Sequence, residues 1–113
     1  MNRYRAGRDF EYQVKRNLAA NGYEIFRMAG SKTKVDLIAI KPGEALFVQC
    51  KRDGRIGPDE RTELVRLARF IDATALLAYK PGVRQPLAYA KLIDATGDRE
   101  EWHPDYGLSG SPM

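Results

Sequence analysis

The sequence predicts an α/β fold in which a mixed β-sheet is flanked by helices, with the element order α-β-β-β-α-β-β. Its 113 residues are the size of one domain with a single core. Two segments carry apolar residues at spacings of three and four, which is the period of a helix. Five short apolar segments are separated by turn residues or by the second helix, which is typical of strands. An α/β sandwich buries the apolar residues of both kinds of segment.

The first helix is predicted over residues 3–20. Phe10, Val14 and Leu18 follow one another at intervals of four residues and form one apolar stripe. Asn21 and Gly22 then provide a stop, because glycine readily adopts the left-handed conformation that ends many helices.

Apolar and β-branched residues predict five strands, at residues 23–29, 34–40, 45–51, 74–79 and 87–93. The second and third strands are expected to form a hairpin, because Pro42 and Gly43 lie between them. With a loop of two or four residues, Asp36 lies opposite Gln49 on one face of the hairpin. A loop of three residues would shift the pairing by one position.

The second helix is predicted over residues 59–73, directly after Pro58, a residue common at the start of helices. Leu64, Ala68 and Ile71 lie on its apolar face.

The chain is expected to form one folded unit over residues 1–93, followed by an irregular acidic tail over 94–113. Gly, Pro, Asp and Glu dominate this tail, which contains one basic and five acidic residues. Trp102 in the tail is expected to pack onto the folded unit, with base stacking or catalysis as the alternatives.

The basic residues are concentrated in the first half of the chain. Overall the chain has 19 basic and 15 acidic residues, but residues 1–55 contain 12 basic and 6 acidic ones. A cationic folded unit suits a polyanion such as DNA, because Lys and Arg that displace phosphate counterions supply affinity for any sequence. The alternative is an ordinary solvated surface.

Composition argues against several other classes of protein. One cysteine and one histidine exclude an internal disulfide and a structural zinc site of the usual Cys/His type. No apolar segment is long enough to span a membrane, and no secretory signal is recognisable. We therefore expect a cytoplasmic protein without membrane contact, in the host cytoplasm if the chain is viral.

Two carboxylates interrupt the apolar patterns. Glu11 borders the stripe of the first helix, where pairing with Lys15 at i+4 is the alternative to a functional role. Asp36 lies within an apolar strand although aspartate is a poor strand former, with an outward, solvated position as the alternative.

The predicted hairpin brings further polar groups to Asp36. Gln49 and Lys51 share a face of the third strand, whereas Cys50 points to the other face and is expected to be a core residue rather than a nucleophile. Carboxylate and amide oxygens suit Mg²⁺ or Mn²⁺, and a nearby ammonium can position a water or offset phosphate charge. With Glu11, this set describes metal-assisted phosphodiester hydrolysis.

The order of these motifs resembles the PD-(D/E)XK nucleases, and among them the archaeal-type Holliday junction resolvases. The motifs are Arg5-x-Gly7-x-x-Phe10-Glu11, Gly30-Ser31, Val35-Asp36-Leu37-Ile38-Ala39 and Val48-Gln49-Cys50-Lys51-Arg52. The resemblance covers about residues 3–80. It implies a restriction-endonuclease-like fold and a homodimer that cuts four-way DNA junctions symmetrically with Mg²⁺ or Mn²⁺.

The resemblance also implies roles for individual residues. Glu11, Asp36 and Gln49 would hold the metal, Lys51 would assist the water, and Ser31 would lie near the scissile phosphate. Gln49 departs from the family pattern, which has glutamate or aspartate at this place. The site thereby loses one formal negative charge, so its affinity for metal should be lower.

Seven basic residues near these motifs are candidates for phosphate contacts, with plain surface charge as the alternative: Arg3, Arg5, Arg8, Lys32, Lys34, Arg52 and Arg55. Three functions are compatible with the sequence. The first is a junction-resolving endonuclease, and the second is a related nuclease that acts on duplex, nicked or single-stranded DNA, such as the Mrr-type enzymes. The third is a DNA-binding module that has lost catalysis, for which Gln49 is the indication.

Overall fold

A computed structural model of the protein describes residues 3–28, 35–94 and 96–104, with side chains from residue 7 onward. Two helices and six strands follow one another in this part of the chain. They are α1 (Arg3–Ala20), β1 (Glu24–Arg27), β2 (Leu37–Lys41), β3 (Glu44–Cys50), α2 (Pro58–Phe70), β4 (Thr74–Tyr79), β5 (Ala88–Leu92) and β6 (Arg99–Trp102). None of the helices in the described ranges has a stretch long and apolar enough to cross a bilayer.

The strands form one mixed sheet in chain order, β1-β2-β3-β4-β5-β6. Neighbouring strands are antiparallel except β3 and β4, which are parallel and connected through α2. A parallel pair needs such a crossover, because the chain must return from the end of the first strand to the end of the sheet where that strand began. The predicted α/β architecture with a mixed sheet is therefore confirmed.

The two helices cover opposite faces of the sheet. The stripe of α1 packs on one face, where Val14, Leu18 and Leu37 are fully buried in a cluster with residues of β3 to β6. The stripe of α2 packs on the other face, where Leu64 and Leu77 are fully buried. Alternate residues of each central strand enter alternate clusters, as the two-residue period of a strand requires.

The hairpin of β2 and β3 has the predicted register. Leu37 pairs with Val48, and Lys41 pairs with Glu44 around a two-residue loop. The regular strand begins only after Asp36, where the sequence pattern predicted a start at residue 34. The Asp36 carboxylate accepts the Cys50 N–H at 2.8 Å, so a side chain, and not a longer strand, satisfies this donor.

The second helix ends earlier than predicted. It stops at Phe70, and Asp72 takes a left-handed conformation with φ of 59°. The Ala73 N–H then donates to the Ala68 carbonyl at 2.7 Å, which closes the helix and turns the chain into β4.

The expectation of an irregular tail over residues 94–113 is wrong for residues 99–102. These residues form β6, which pairs antiparallel with β5. The reason is Trp102, which is only 6% exposed and packs edge-on against Tyr89 with ring centroids 5.4 Å apart. Burial of so large a side chain offsets the weak strand preference of the acidic residues around it.

Candidate active site

The predicted polar residues lie at one end of the sheet, where β2 begins and β3 ends. Asp36 is the residue before β2, Gln49 lies within β3, and Lys51 follows it. The Lys51 N–H donates to the Ala78 carbonyl at 3.0 Å, so β4 fixes the backbone of Lys51 just beyond the strand. The structure thus brings Asp36, Gln49 and Lys51 together at one end of the sheet, between the two helices.

Asp36 is anchored from both its backbone and its side chain. Its N–H donates to the Val48 carbonyl at 2.9 Å, and its Oδ2 accepts the Cys50 N–H at 2.8 Å. The second carboxylate oxygen therefore keeps its lone pairs for another donor or a cation.

Burial raises the pKa of the Asp36 carboxyl above its usual value of 3.8, and the negative charges of Glu11 and Glu60 raise it further. The hydrogen bond from the Cys50 N–H and the positive charge of Lys51 act in the opposite direction. A positive charge close to Asp36 would relieve the unfavourable environment.

Gln49 is buried, with 6% of its surface exposed. Its Nε2 donates to Glu60 Oε2 at 3.2 Å. Its Oε1 is buried and has no hydrogen-bond partner among the described residues. The amide has no better orientation in the protein alone, because a flipped amide would turn its oxygen toward the Glu60 carboxylate.

Lys51 is held by the same carboxylate. Its Nζ lies 3.1 Å from Glu60 Oε2, and both side chains are about one-third to one-quarter exposed, at 32% and 26%. Glu60 Oε2 therefore receives one donor from Gln49 and one from Lys51.

Glu60 was missed in the sequence analysis, although the sequence carries a signal for it. Glu60 stands four residues before Leu64 and eight before Ala68, so it lies on the apolar stripe of α2, as Glu11 borders that of α1. A carboxylate at such a position needs a polar partner. The local sequence does not show which residue this partner is, because Glu60 meets Gln49 only through the β3–α2–β4 crossover.

Glu11 reaches the site from the opposite face. It is half-buried, and its Oε1 accepts the Arg27 Nε–H at 3.0 Å, so the ion pair with Lys15 considered above is not the one that forms. Its negative charge raises the pKa values of both Asp36 and Cys50. A role for Glu11 in metal binding stays a prediction.

Cys50 has the expected core environment. It packs against the cluster under α1, and burial raises the pKa of its thiol well above the usual value. A thiol that stays protonated is a poor nucleophile.

Open clefts with basic residues flank the site on two sides. A cleft of about 350 Å³ contains Arg8, Lys15 and Arg27 beside Glu11. A larger one, of about 870 Å³, contains Arg52 and Lys80 among others beside Lys51. Arg55 is exposed in the loop before α2.

Several predicted residues are not fully described by the structure. Ser31, Lys32 and Lys34 lie outside the described residues. Arg3 and Arg5 are in α1, but only their backbone is described. Their assigned roles stay predictions.

The side chains present fit a hard divalent ion in their chemistry. The buried Oε1 of Gln49 lacks a donor, and Asp36 has an oxygen to offer, so both fit a cation that prefers oxygen ligands. In the ranges that the structure covers, no three His, Cys, Asp or Glu side chains surround one point. Glu11 and Glu60 are instead turned to Arg27 and Lys51.

Comparisons with known proteins identify relatives. The family described as archaeal Holliday junction resolvase (Hjc) matches residues 2–100. A relative named crossover junction endodeoxyribonuclease Hjc, from Methanocaldococcus jannaschii, is 35% identical over 82 residues. That match covers 69% of this chain and 61% of the relative, so the chain spans less than two thirds of the relative's length.

A solved structure supports the same relationship. Hjc from Archaeoglobus fulgidus, described as a Holliday junction resolvase from an archaeal hyperthermophile, matches with a TM-score of 0.64 and 27% identity. The match covers 74% of this chain and 70% of that one. Because the family match extends over most of the sequence, including α1, the hairpin and α2, the chain belongs to the archaeal Holliday junction resolvase family.

Proposed function

We propose that this protein is a metal-dependent endodeoxyribonuclease that resolves four-way DNA junctions. The observation that carries the proposal is that Asp36, Gln49 and Lys51 lie at one end of the sheet and that the buried amide oxygen of Gln49 lacks a donor. Membership in the resolvase family and the names of the two relatives support the substrate.

The ion would be held by Asp36 and by Oε1 of Gln49, and we propose Mg²⁺ or Mn²⁺ because these ligands are hard oxygens. When bound, such an ion lowers the pKa of a coordinated water and offsets charge on the phosphate. Asp36 is suited to this task because the Cys50 N–H holds Oδ2 and so fixes the carboxylate, while Oδ1 remains available to the ion.

Lys51 would act on the reacting groups as a positive charge. Its ammonium stands beside the proposed metal ligands and is held by Glu60 at 3.1 Å. In that position it can orient the attacking water and stabilise the negative charge that develops on the phosphate. Ser31, which lies outside the described residues, is proposed near the scissile phosphate on the family resemblance alone.

The flanking clefts are proposed to bind the DNA backbone. Arg8 lies on one side of the site and Arg52 on the other, and both are exposed. Contacts from such residues to phosphates would fix the orientation of the junction without reading its sequence.

We further propose that the protein acts as a homodimer. Resolution of a junction into two duplexes needs two cuts, and the described part of each chain has one candidate site. A twofold dimer presents two identical sites at symmetric positions. Sedimentation equilibrium at micromolar concentration tests this proposal, and a strict monomer both free and on junction DNA would contradict it.

The function is tested by cleavage of labelled DNA in Mg²⁺ and in Mn²⁺. The substrates are a four-way junction, a duplex with the sequence of one arm, and a single strand. We expect paired nicks in two strands of the junction, no comparable cutting of the other two substrates, and no cutting in the presence of EDTA.

Two other results would replace the proposal. Equal cutting of junction and duplex would assign the protein to the second function considered for the sequence, a general DNA nuclease. Tight junction binding without cleavage in either metal would assign it to the third, a binding module that has lost catalysis.

A further inference from the structure

We propose that the Glu60 carboxylate is a metal ligand of this site and supplies the negative charge that neutral Gln49 does not. This inference rests on the proposed function, because it concerns the same metal ion. It adds a residue from α2 to a site whose other parts come from the hairpin.

The contacts of Glu60 leave it able to bind a cation. Gln49 Nε2 and Lys51 Nζ both approach Oε2, at 3.2 and 3.1 Å. The second oxygen, Oε1, makes neither contact and keeps its lone pairs. Glu60 lies in the first turn of α2, so rotation of one flexible side chain changes which group its carboxylate meets.

The unsatisfied oxygen of Gln49 indicates that the contact between Gln49 and Glu60 does more than stabilise the fold. A buried oxygen without a donor is costly, and native proteins leave few such groups. Glu60 fixes the amide with its NH₂ toward the carboxylate, and this forces Oε1 to remain without a donor. A cation at Gln49 Oε1 would satisfy that oxygen, and rotation of the Glu60 side chain would bring its uncontacted Oε1 to the same ion.

The charges agree with this assignment. Asp36 and Glu60 together carry two negative charges, which balance one divalent ion. Glu11 and Glu60 are both paired with a cation, Arg27 and Lys51, but Glu60 also contacts Gln49, whose buried oxygen lacks a donor.

A role limited to positioning Lys51 makes a different prediction. Loss of the Glu60–Lys51 ion pair alone would impair the chemistry but leave metal affinity unchanged. Direct binding of Mn²⁺ to the protein without DNA therefore separates the two roles, and it does not depend on activity.

The experiment measures Mn²⁺ binding by titration calorimetry and by the loss of the free-ion EPR signal. Four proteins are compared: wild type, Glu60→Gln, the exchange variant Gln49→Glu/Glu60→Gln, and Asp59→Asn. Asp59→Asn is the matched control, because Asp59 is exposed and lies in the same helical turn, and its substitution removes the same charge as Glu60→Gln does.

We expect Glu60→Gln to weaken Mn²⁺ binding at least ~10-fold, as loss of a group at a metal site typically does. Asp59→Asn should stay within about 2-fold of wild type, because an exposed charge is screened by solvent. The exchange variant keeps one carboxylate and one amide at the same two positions, so it should recover binding to within ~3-fold of wild type.

Binding of Mn²⁺ to Glu60→Gln within about 2-fold of wild type would overturn the inference and leave the proposed function intact. If Glu60→Gln fails to fold, as judged by circular dichroism, the exchange variant decides: affinity within ~3-fold of wild type supports the inference, and a gain or a loss of about 10-fold overturns it. A gain would mean that Gln49→Glu adds a ligand while the loss of Glu60 costs none. A wild-type protein that binds no Mn²⁺ would remove the metal site itself, and the proposed function with it.

Discussion

At the scale of single residues, Asp36 is in an environment that opposes its charge. It is half-buried, and the carboxylates of Glu11 and Glu60 approach it from helices on opposite faces of the sheet. One hydrogen bond and the charge of Lys51 compensate in part. Such an arrangement favours cation binding over stability, a common compromise at functional sites.

We predict that Asp36→Asn abolishes cleavage, with a loss of at least about 100-fold, while junction binding remains. The amide retains an oxygen for the Cys50 N–H but provides no negative charge for a metal. The measurements are cleavage rates and a gel-shift titration on the same junction, with Asp59→Asn as the control. Cleavage at the wild-type rate would contradict the assignment of Asp36.

The same substitution has a predicted effect on stability that depends on pH. Because folding raises the pKa of Asp36, the folded state binds the proton more tightly than the unfolded state does. The wild-type protein should therefore lose stability relative to Asp36→Asn as the pH rises from about 3.8 through the raised pKa. Urea denaturation in EDTA at about pH 3.5, 5 and 7 measures this difference. A stability difference between the two proteins that does not change over this pH range would contradict the prediction.

At the scale of elements, the segment between β3 and α2 fixes Lys51. Beyond the strands, the Lys51 N–H donates to Ala78 and the Lys80 N–H donates to Arg52, so the parallel pairing continues into the loop. The chain then turns at Gly54, which has φ of 76° and whose N–H donates to the Lys51 carbonyl at 2.8 Å. These hydrogen bonds hold the backbone of Lys51 on both sides of its Cα, and so fix the position from which its side chain extends.

We predict opposite effects of alanine at two glycines. Gly54→Ala should destabilise the protein by about 1–2 kcal/mol, because its positive φ disfavours a side chain. A Cβ there would also lie 3.3 Å from the Tyr79 ring. Gly7→Ala should stabilise it by about 0.5–1 kcal/mol, because Gly7 is within α1 and its helical backbone favours alanine. A methyl group on Gly7 would meet no other described residue within 4 Å. Chemical denaturation of both variants provides the test, and a Gly54→Ala protein at least as stable as wild type would contradict this account of the turn.

At the scale of the whole molecule, the net charge differs between the site and β6: six basic and three acidic residues line the two clefts beside the site, whereas β6 has one basic and two acidic residues. The exposed cations Arg8, Arg52 and Arg55 are near the site, which involves β2 and β3. The exposed acidic residues Glu100 and Glu101 are on β6, the strand at the far edge. This division orients an approaching polyanion toward the site and away from β6.

We predict that junction binding depends steeply on salt. A dimer that contacts roughly three phosphates with each subunit should lose ~10³-fold in affinity between about 50 and 200 mM salt. Arg52→Ala should lower the slope of log K against log salt by about one for each subunit, whereas Arg66→Ala, on α2 and paired with Glu63, should leave the slope unchanged. Fluorescence anisotropy at several salt concentrations measures both slopes. An affinity that does not change with salt would contradict the proposed DNA surface.

The features that the sequence by itself determined are those with a local cause. The register of Asp36 opposite the end of β3 follows from strand alternation and from the short turn at Pro42 and Gly43, all within a few residues. The buried stripes of α1 and α2 follow from helical periodicity. For these reasons the hairpin part of the candidate site was predictable without tertiary information.

Only the tertiary structure decided the partners of these groups. Arg27 and not Lys15 pairs with Glu11, because β1 lies beside α1 in space. Acidic residues around Trp102 form a strand because Tyr89 provides a surface for the indole ring. Glu60 meets Gln49 because the crossover lays α2 across the face of β3, a contact between residues that no local period connects. Pairings of this kind depend on how elements pack, and packing is a property of the whole chain.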